Sequence, residues 1–230
     1  MKHRKIINHL EGFIFENQGF RAQLCQDKES LRQVFKLRYK AYGNLEDTVV
    51  MDEQFELFYD GLDFQSNTRV HLIWYEDKPV ASVRSCIWSD RYNWSPIEST
   101  KYCSSDIDAH MGIDSRLLES NRYVVDPDFK GRKSIYAQIL LFKAHAIASL
   151  IEGCSHIITM VRPKHIPFYE RMLGFEQISG MVPLADFDTE VTLLSAGREK
   201  SMEVALSKGM PPYTEEEVAR YRALLTTEAY

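Results

Sequence analysis

Glu119 is the residue whose setting most invites chemistry. It stands in Leu117-Leu118-Glu119-Ser120-Asn121-Arg122-Tyr123-Val124-Val125, a strand-like run with apolar residues at both ends. Removal from water raises a carboxyl pKa, and a carboxylate poised near neutrality serves as a general base. Arg122 comes three positions later, so even strand alternation would place the two side chains on opposite faces. A β-bulge near Asn121–Tyr123 would turn both to one face and leave a backbone amide unpaired. The spacing therefore predicts a bulge here; the alternative is a structural salt bridge tying the strand to the segment before it. A second cluster, Lys130, Gly131, Arg132, Lys133 and Ser134, precedes a helical run. Amides and dipole at a helix N-terminus favour phosphate, although such a turn can also be merely solvated. A third group contains Arg38, on the apolar stripe of its helix, and Arg84, within a strand of small and apolar residues. A buried guanidinium needs a carboxylate, and Asp60 and Asp63 in the acidic stretch 46–63 supply one. The same arginines could instead bind the carboxylate of a small molecule.

Other chemistries find less support. Cys25, Cys86, Cys103 and Cys154 lie far apart with no Cys-x-x-Cys pair, which disfavours zinc and suggests inert thiols in a reduced, cytoplasmic chain. His71, His110, His145, His156 and His165 show no ligand spacing, so no metal is expected. Nor is a Cys-His or Ser-His arrangement evident for a covalent intermediate. Lys and Arg number 28 against 33 Asp and Glu, a net charge of −5 that argues against a dedicated nucleic-acid binder. The N-terminal Met1-Lys2-His3-Arg4-Lys5 is basic, but Asn8, His9 and Glu11 interrupt the next stretch, so no secretory signal is expected. Apolar runs fall short of the ~20 residues that a membrane span needs.

Periodicity then gives the scaffold for 230 residues. Ile6, Leu10, Phe13 and Ile14 predict a short N-terminal helix, within an extension spanning residues 1–19. Phe20–Cys25 alternates as a strand, and Asp27 or Ser30 caps a helix that Gly43 ends. Val70–Tyr75 and Val80–Ile87 form a hairpin across Glu76-Asp77-Lys78-Pro79. Residues 88–116 are a long insert that does a job or hides a short helix. The Glu119 strand stops at Asp126-Pro127, and a helix from about Ser134 to Glu152 carries the stripe Ile135, Ile139, Phe142, Ala146 and Leu150. His156–Val161 is a buried strand, Pro163–Leu173 a helix closed by Gly174, and Phe175–Gly180 and Val191–Leu194 further strands. Thr214 and Glu217 form a capping box before a last helix. The order predicts one mixed-sheet α/β domain over residues 20–195, with a helical extension over 196–230.

Within this frame, residues 117–132 with His165-Ile166-Pro167-Phe168-Tyr169-Glu170-Arg171-Met172-Leu173-Gly174-Phe175 resemble the GNAT acyltransferase superfamily. The branch that fits is that of the N-acyl amino acid synthases and acyl-homoserine-lactone synthases. Val34-Phe35-Lys36-Leu37-Arg38-Tyr39, Tyr59-Asp60-Gly61-Leu62-Asp63 and Val80-Ala81-Ser82-Val83-Arg84 fit it too, and the resemblance covers about residues 20–180. It implies a GNAT-like fold with a bulged central strand, and transfer of a long acyl group from a thioester to the amine of a small molecule such as an amino acid.

On this resemblance Glu119, Arg122 and Tyr169 are the catalytic residues, Tyr169 standing where many members place a general acid. Tyr123, Val124, Val125, Lys130, Gly131, Arg132, Lys133 and Ser134 bind the donor, with the Val124 amide reaching the thioester carbonyl. Arg38, Asp60, Asp63 and Arg84 serve the amine, some of them by holding the acidic segment in place. Trp74, Trp88, Trp94, Phe142 and Phe168 line an acyl channel or simply fill core. No tightly bound cofactor is implied; acyl carrier protein or coenzyme A carries the co-substrate. The phosphate loop has the single Gly131 where relatives carry a second glycine, which favours the single phosphate of an acyl carrier protein. Tyr42-Gly43 stands where lactone synthases carry a tryptophan, which argues against S-adenosylmethionine. The rival expectations are an acetyl-CoA N-acetyltransferase, an S-adenosylmethionine-using quorum-signal synthase, and a non-catalytic acyl-carrier or lipid-binding module.

Overall fold

A computed structural model describes residues 12–43, 54–89, 91, 97–111, 115–184 and 189–226. Nine strands form one mixed sheet: β1 (Phe13–Asn17), β2 (Phe20–Cys25), β3 (Thr68–Tyr75), β4 (Lys78–Trp88), β5 (Leu117–Val125), β6 (His156–Val161), β7 (Glu176–Gln177), β8 (Val182–Leu184) and β9 (Thr189–Gly197). Their order is β1-β2-β3-β4-β5-β6-β9-β7, with β8 also on β9. Every neighbouring pair is antiparallel except β5 and β6, which run parallel. The helices are α1 (Lys28–Tyr42), α2 (Thr100–Met111), α3 (Arg132–Ile151), α4 (Ile166–Leu173), α5 (Arg198–Ser207) and α6 (Glu215–Thr226). The mixed α/β architecture agrees with the expectation from the sequence.

Local chemistry explains most boundaries. Asp27 caps α1 by accepting from the Glu29 and Ser30 amides at 2.9 Å each. The long insert does hold a helix, α2, kinked at Cys103. The capping box of α6 forms in both directions: the Thr214 amide donates to Glu217 Oε2, and the Glu217 amide to Thr214 Oγ1. Gly174 closes α4 at φ +67°, a left-handed position that glycine adopts without Cβ strain.

Two expectations need correction. Phe13 and Ile14, assigned to an N-terminal helix, belong to β1; Ile6 and Leu10 lie outside the described residues. The deciding signal is Gln18-Gly19, both at positive φ, a two-residue turn that pairs β1 with β2. Helix α3 presents a different stripe from the one its sequence spacing suggests. It buries Ala137, Leu140, Leu141, Ala144, Ile147 and Ala148 against the sheet, while Ile135 is exposed. Apolar residues surround this helix, so pattern alone cannot fix its phase. By length and apolar composition alone α3 would pass for a membrane span. Here it packs on β2, β3 and β4 as a core helix.

The other sheet face is covered by α1, whose Val34, Phe35 and Leu37 pack with Val70, Leu72 and Val124. The last helix, α6, lies over β1 and α3. Its Tyr221 is wholly buried, its hydroxyl 2.8 Å from His71 Nε2.

Candidate active site

The central strand is bulged. Ser82 pairs with Val124 and Arg84 with Asn121, so Arg122 and Tyr123 together oppose Val83 alone. Arg122 takes the bulge's strain at φ +50°, rare for a residue with a Cβ. Parallel pairing of β5 with β6 spans only Leu117–Ser120 against His156–Thr159, although β5 continues to Val125 and β6 to Val161. The two strands thus part beside the bulge.

A cavity of about 500 Å³ fills the opening. Glu119, Arg122 and Tyr123 of β5 face Thr159 of β6 across it, and Phe142, Phe168 and Tyr169 bring aromatic walls from α3 and α4. Glu119, Arg122, Tyr123 and Tyr169, predicted separately from sequence, therefore meet in one space. The remaining donor-side candidates do not line it: Val124 is buried under α1, and Lys130–Ser134 form the turn and first residues of α3. Gly131 sits there at φ +77°, and no side chain caps the helix. Lys130 and Arg132 are exposed, whereas Lys133 is engaged with Tyr75, bonding its hydroxyl and lying 4.2 Å above its ring.

Glu119 has no solvent exposure. Its oxygens accept from the Glu98 and Ser99 amides at 2.7 and 2.8 Å and from Asn121 Nδ2 at 3.3 Å. Burial, then the nearby charge of Glu98, raise its pKa to about 7 against the opposing pull of the two amides. The carboxyl is consequently half-ionised near neutrality, as a general base requires. Burial also pushes the Tyr169 hydroxyl up to about 12, which keeps it a proton donor across the neutral range. The Tyr123 hydroxyl is buried with no hydrogen-bond partner among the described residues.

Behind the cavity lies a network of ion pairs. Arg38 and Asp63 are both unexposed, and Arg38 Nη1 donates to the two Asp63 oxygens at 2.8 and 2.9 Å. Arg84 holds Asp60 at 2.5 Å, Asp63 at 3.2 Å and the side-chain Oδ1 of Asn121 at 2.7 Å. Arg122 reaches Asp60 at 2.9 Å and Glu98 at 3.0 Å. Burial alone would raise the Asp60 pKa, but hydrogen bonds and charge from Arg84 and Arg122 hold it far below the usual carboxylate range. None of Arg38, Asp60, Asp63 and Arg84 lines the cavity, although Asp60 retains partial exposure. Two residues of the site, Glu98 and Asn121, were not among those expected from sequence. Asn121 stood two positions from Glu119 in the same run; Glu98 reaches the site from the segment before α2 and had no local signal.

Among the aromatic candidates, Phe142 and Phe168 line the opening. Trp74 packs beneath α1 and donates to Gln23, Trp88 packs at the α2 end, and Trp94 lies outside the described residues. The four cysteines are unpaired and buried. No group of metal-ligating side chains is assembled among the described residues.

Residues 33–197 match the family of the N-acyl amino acid synthase FeeM. The chain belongs to this family. It is an acyltransferase of the N-acyl amino acid synthase family. The FeeM-family match starts within α1 and ends with β9, so it includes the bulged strand and its cleft. Among solved structures, FeeM from uncultured soil microbes aligns with TM-score 0.68 at 13% identity, over 84% of this chain and 97% of that one. The acyl-homoserine lactone synthase LasI aligns with TM-score 0.65 at 18% identity, over 85% and 98%. BjaI, a CoA-dependent acyl-homoserine lactone synthase, gives 0.55 at 17%, over 84% and 91%. At these identities the structural likeness establishes the GNAT-like fold. No curated protein matches the sequence significantly.

Proposed function

We propose that this protein transfers a long acyl group from the phosphopantetheine thioester of an acyl carrier protein to the amine of a small molecule such as an amino acid. The observation that carries the proposal is the parting of β5 from β6, with Glu119 and Tyr169 in the same cavity. A pantetheine arm laid along the edge of β5 at Tyr123–Val125 brings its thioester to the bulge. The unpartnered Tyr123 hydroxyl is a donor suited to its carbonyl oxygen. A free α-amino group has a pKa of ~7.7–8.0, so a base near neutrality suffices to take its proton. Glu119 accepts that proton as the nitrogen attacks the carbonyl carbon. The C–S bond then breaks, Tyr169 protonates the leaving thiolate, and the tyrosine recovers a proton from Glu119. Arg122, with Asp60, positions the amine substrate; Arg38, Asp63 and Arg84 hold that pair in place.

The aromatic wall of Phe142 and Phe168 favours a long chain over an acetyl group. The single glycine and the exposed Lys130 and Arg132 favour an acidic carrier protein, since positive charge on an acidic chain steers such a partner. The buried, unpaired cysteines suit a reducing cytoplasm. Incubation with acyl carrier and coenzyme A thioesters and a panel of amino acids, read by thiol release and mass spectrometry, tests the reading. An N-acyl product and released thiol are expected; absence of both with every donor overturns it.

A further inference from the structure

We infer that Arg162 binds the carboxylate of the amine substrate and so selects amino acids over simple amines, an inference that rests on the thioester reading above. Arg38 and Arg84 are the arginines whose sequence setting suits a small molecule's carboxylate. The structure commits both of them, and Arg122 as well, to Asp60, Asp63 and Glu98. Arg162, just past the end of β6, also lines the cleft, and its guanidinium has no partner among the described residues. The carboxylates lining the cleft are Glu98, taken by Arg122, and Glu119, held by backbone amides. A half-buried guanidinium without a counter-charge is a receptor for an anion, and its planar fork matches a carboxylate.

Strand alternation decides which reactant carries that anion. Ile157 and Val161 face the α3 side, whereas Ile158 and Met160 pack with Leu117 and Leu193 on the other. Arg162 is still extended, at φ −68° and ψ 150°, so it follows Ile158 and Met160 to the side of Leu117 and Glu119. The donor's phosphate has Lys130 and Arg132 at the start of α3 on the opposite side; the base and Arg162 share the acceptor's side. Glu119 is level with Ile158, which puts Arg162 four residues further along, ~13 Å at ~3.3 Å per residue. An arginine reaching back and an amino acid laid end to end bridge that interval, with the amine at Glu119 and the carboxylate at Arg162. Met160, Leu184 and Val191 line the same cleft and give the acceptor's side chain an apolar wall.

The test offers leucine and phenylalanine, each beside its amide and its decarboxylated amine, to the parent, Arg162→Gln and Arg162→Lys. The parent should favour the amino acids. Arg162→Gln should raise KM for the amino acids ~10–100-fold, the loss expected for a charge-assisted contact, and leave KM for the amides, the amines and the thioester donor unchanged. Arg162→Lys should recover part of that loss, since lysine restores the charge without the fork. Arg162 has no ion pair to break, so both variants should unfold like the parent; if Arg162→Gln fails to fold, Arg162→Lys read the same way decides. Equal losses for all three kinds of acceptor, a rise in the donor's KM alone, or no change overturns the inference and leaves the acyltransferase reading intact. Should the parent acylate neither amino acid, calorimetric titration of leucine and phenylalanine into the parent and Arg162→Gln decides the site. Binding lost in the variant supports it, and binding absent from both or equal in both overturns it; the wider amino-acid panel decides the acyltransferase reading separately.

Discussion

Replacing Glu119 by glutamine should change how both rate and stability depend on pH. In the folded chain the Glu119 carboxyl has a pKa of about 7, against an ordinary 4.5. Native protein therefore binds more protons than the unfolded chain between those values, and stability falls as pH rises through that window. The gap corresponds to ~3.4 kcal/mol at ~1.4 kcal/mol per pK unit. Glutamine carries no such proton, so Glu119→Gln should lose this decline. Urea unfolding at about pH 4 and about pH 9 should show the variant gaining up to ~3 kcal/mol relative to the parent at the higher pH. Any constant cost of placing an amide opposite the Glu98 and Ser99 amides cancels in that comparison. With a saturating thioester donor, the parent's rate should rise with pH to a plateau above about pH 7, whereas the variant should lose that limb and ~100-fold or more in kcat. A stability difference independent of pH would refute the raised pKa. A rate limb that survives in the variant would refute Glu119 as the base.

Three further outcomes are expected from the same geometry. Tyr169→Phe should lower kcat by ~100-fold with little change in KM, and a thioester donor with a more acidic leaving thiol should restore part of the loss in single-turnover measurements. Arg38→Met leaves Asp63 buried without the guanidinium nitrogen that both its oxygens accept from; a loss of ~3 kcal/mol in urea unfolding is expected, partly recovered by Arg38→Met with Asp63→Leu. Lys130→Ala with Arg132→Ala should raise KM for acyl carrier donors about tenfold at low ionic strength and flatten the salt dependence, leaving unfolding unchanged. An unaltered salt profile would remove these residues from donor recognition.

The bulge could be read from sequence because a carboxylate and a guanidinium three positions apart conflict with strand alternation. The conflict is relieved by one extra residue, and the structure places it at Arg122 and Tyr123. The cap at Asp27 and the box at Thr214 were legible because they are local hydrogen bonds with fixed spacing. Glu98 was not, since it contributes a backbone amide and a nearby charge across twenty-one positions of chain. The strand β1 was hidden by apolar spacing that also fits a helix, until the Gln18-Gly19 turn decided it. The phase of α3 was illegible for a different reason. One side is apolar to meet the sheet and the other to face cavities, so neither face stands out.

Because two residues on β5 stand against one on β4, the strand's halves are out of step with their neighbour by a single position. Deleting Tyr123 would bring them back into phase, with a smooth ladder as the cheapest outcome. The interval between Glu119 and Val124 would then shorten by one residue, and their relative orientation would invert. This enzyme's working geometry is therefore tied to an odd residue count in one short stretch, and a single-codon deletion there should abolish turnover while sparing the sheet.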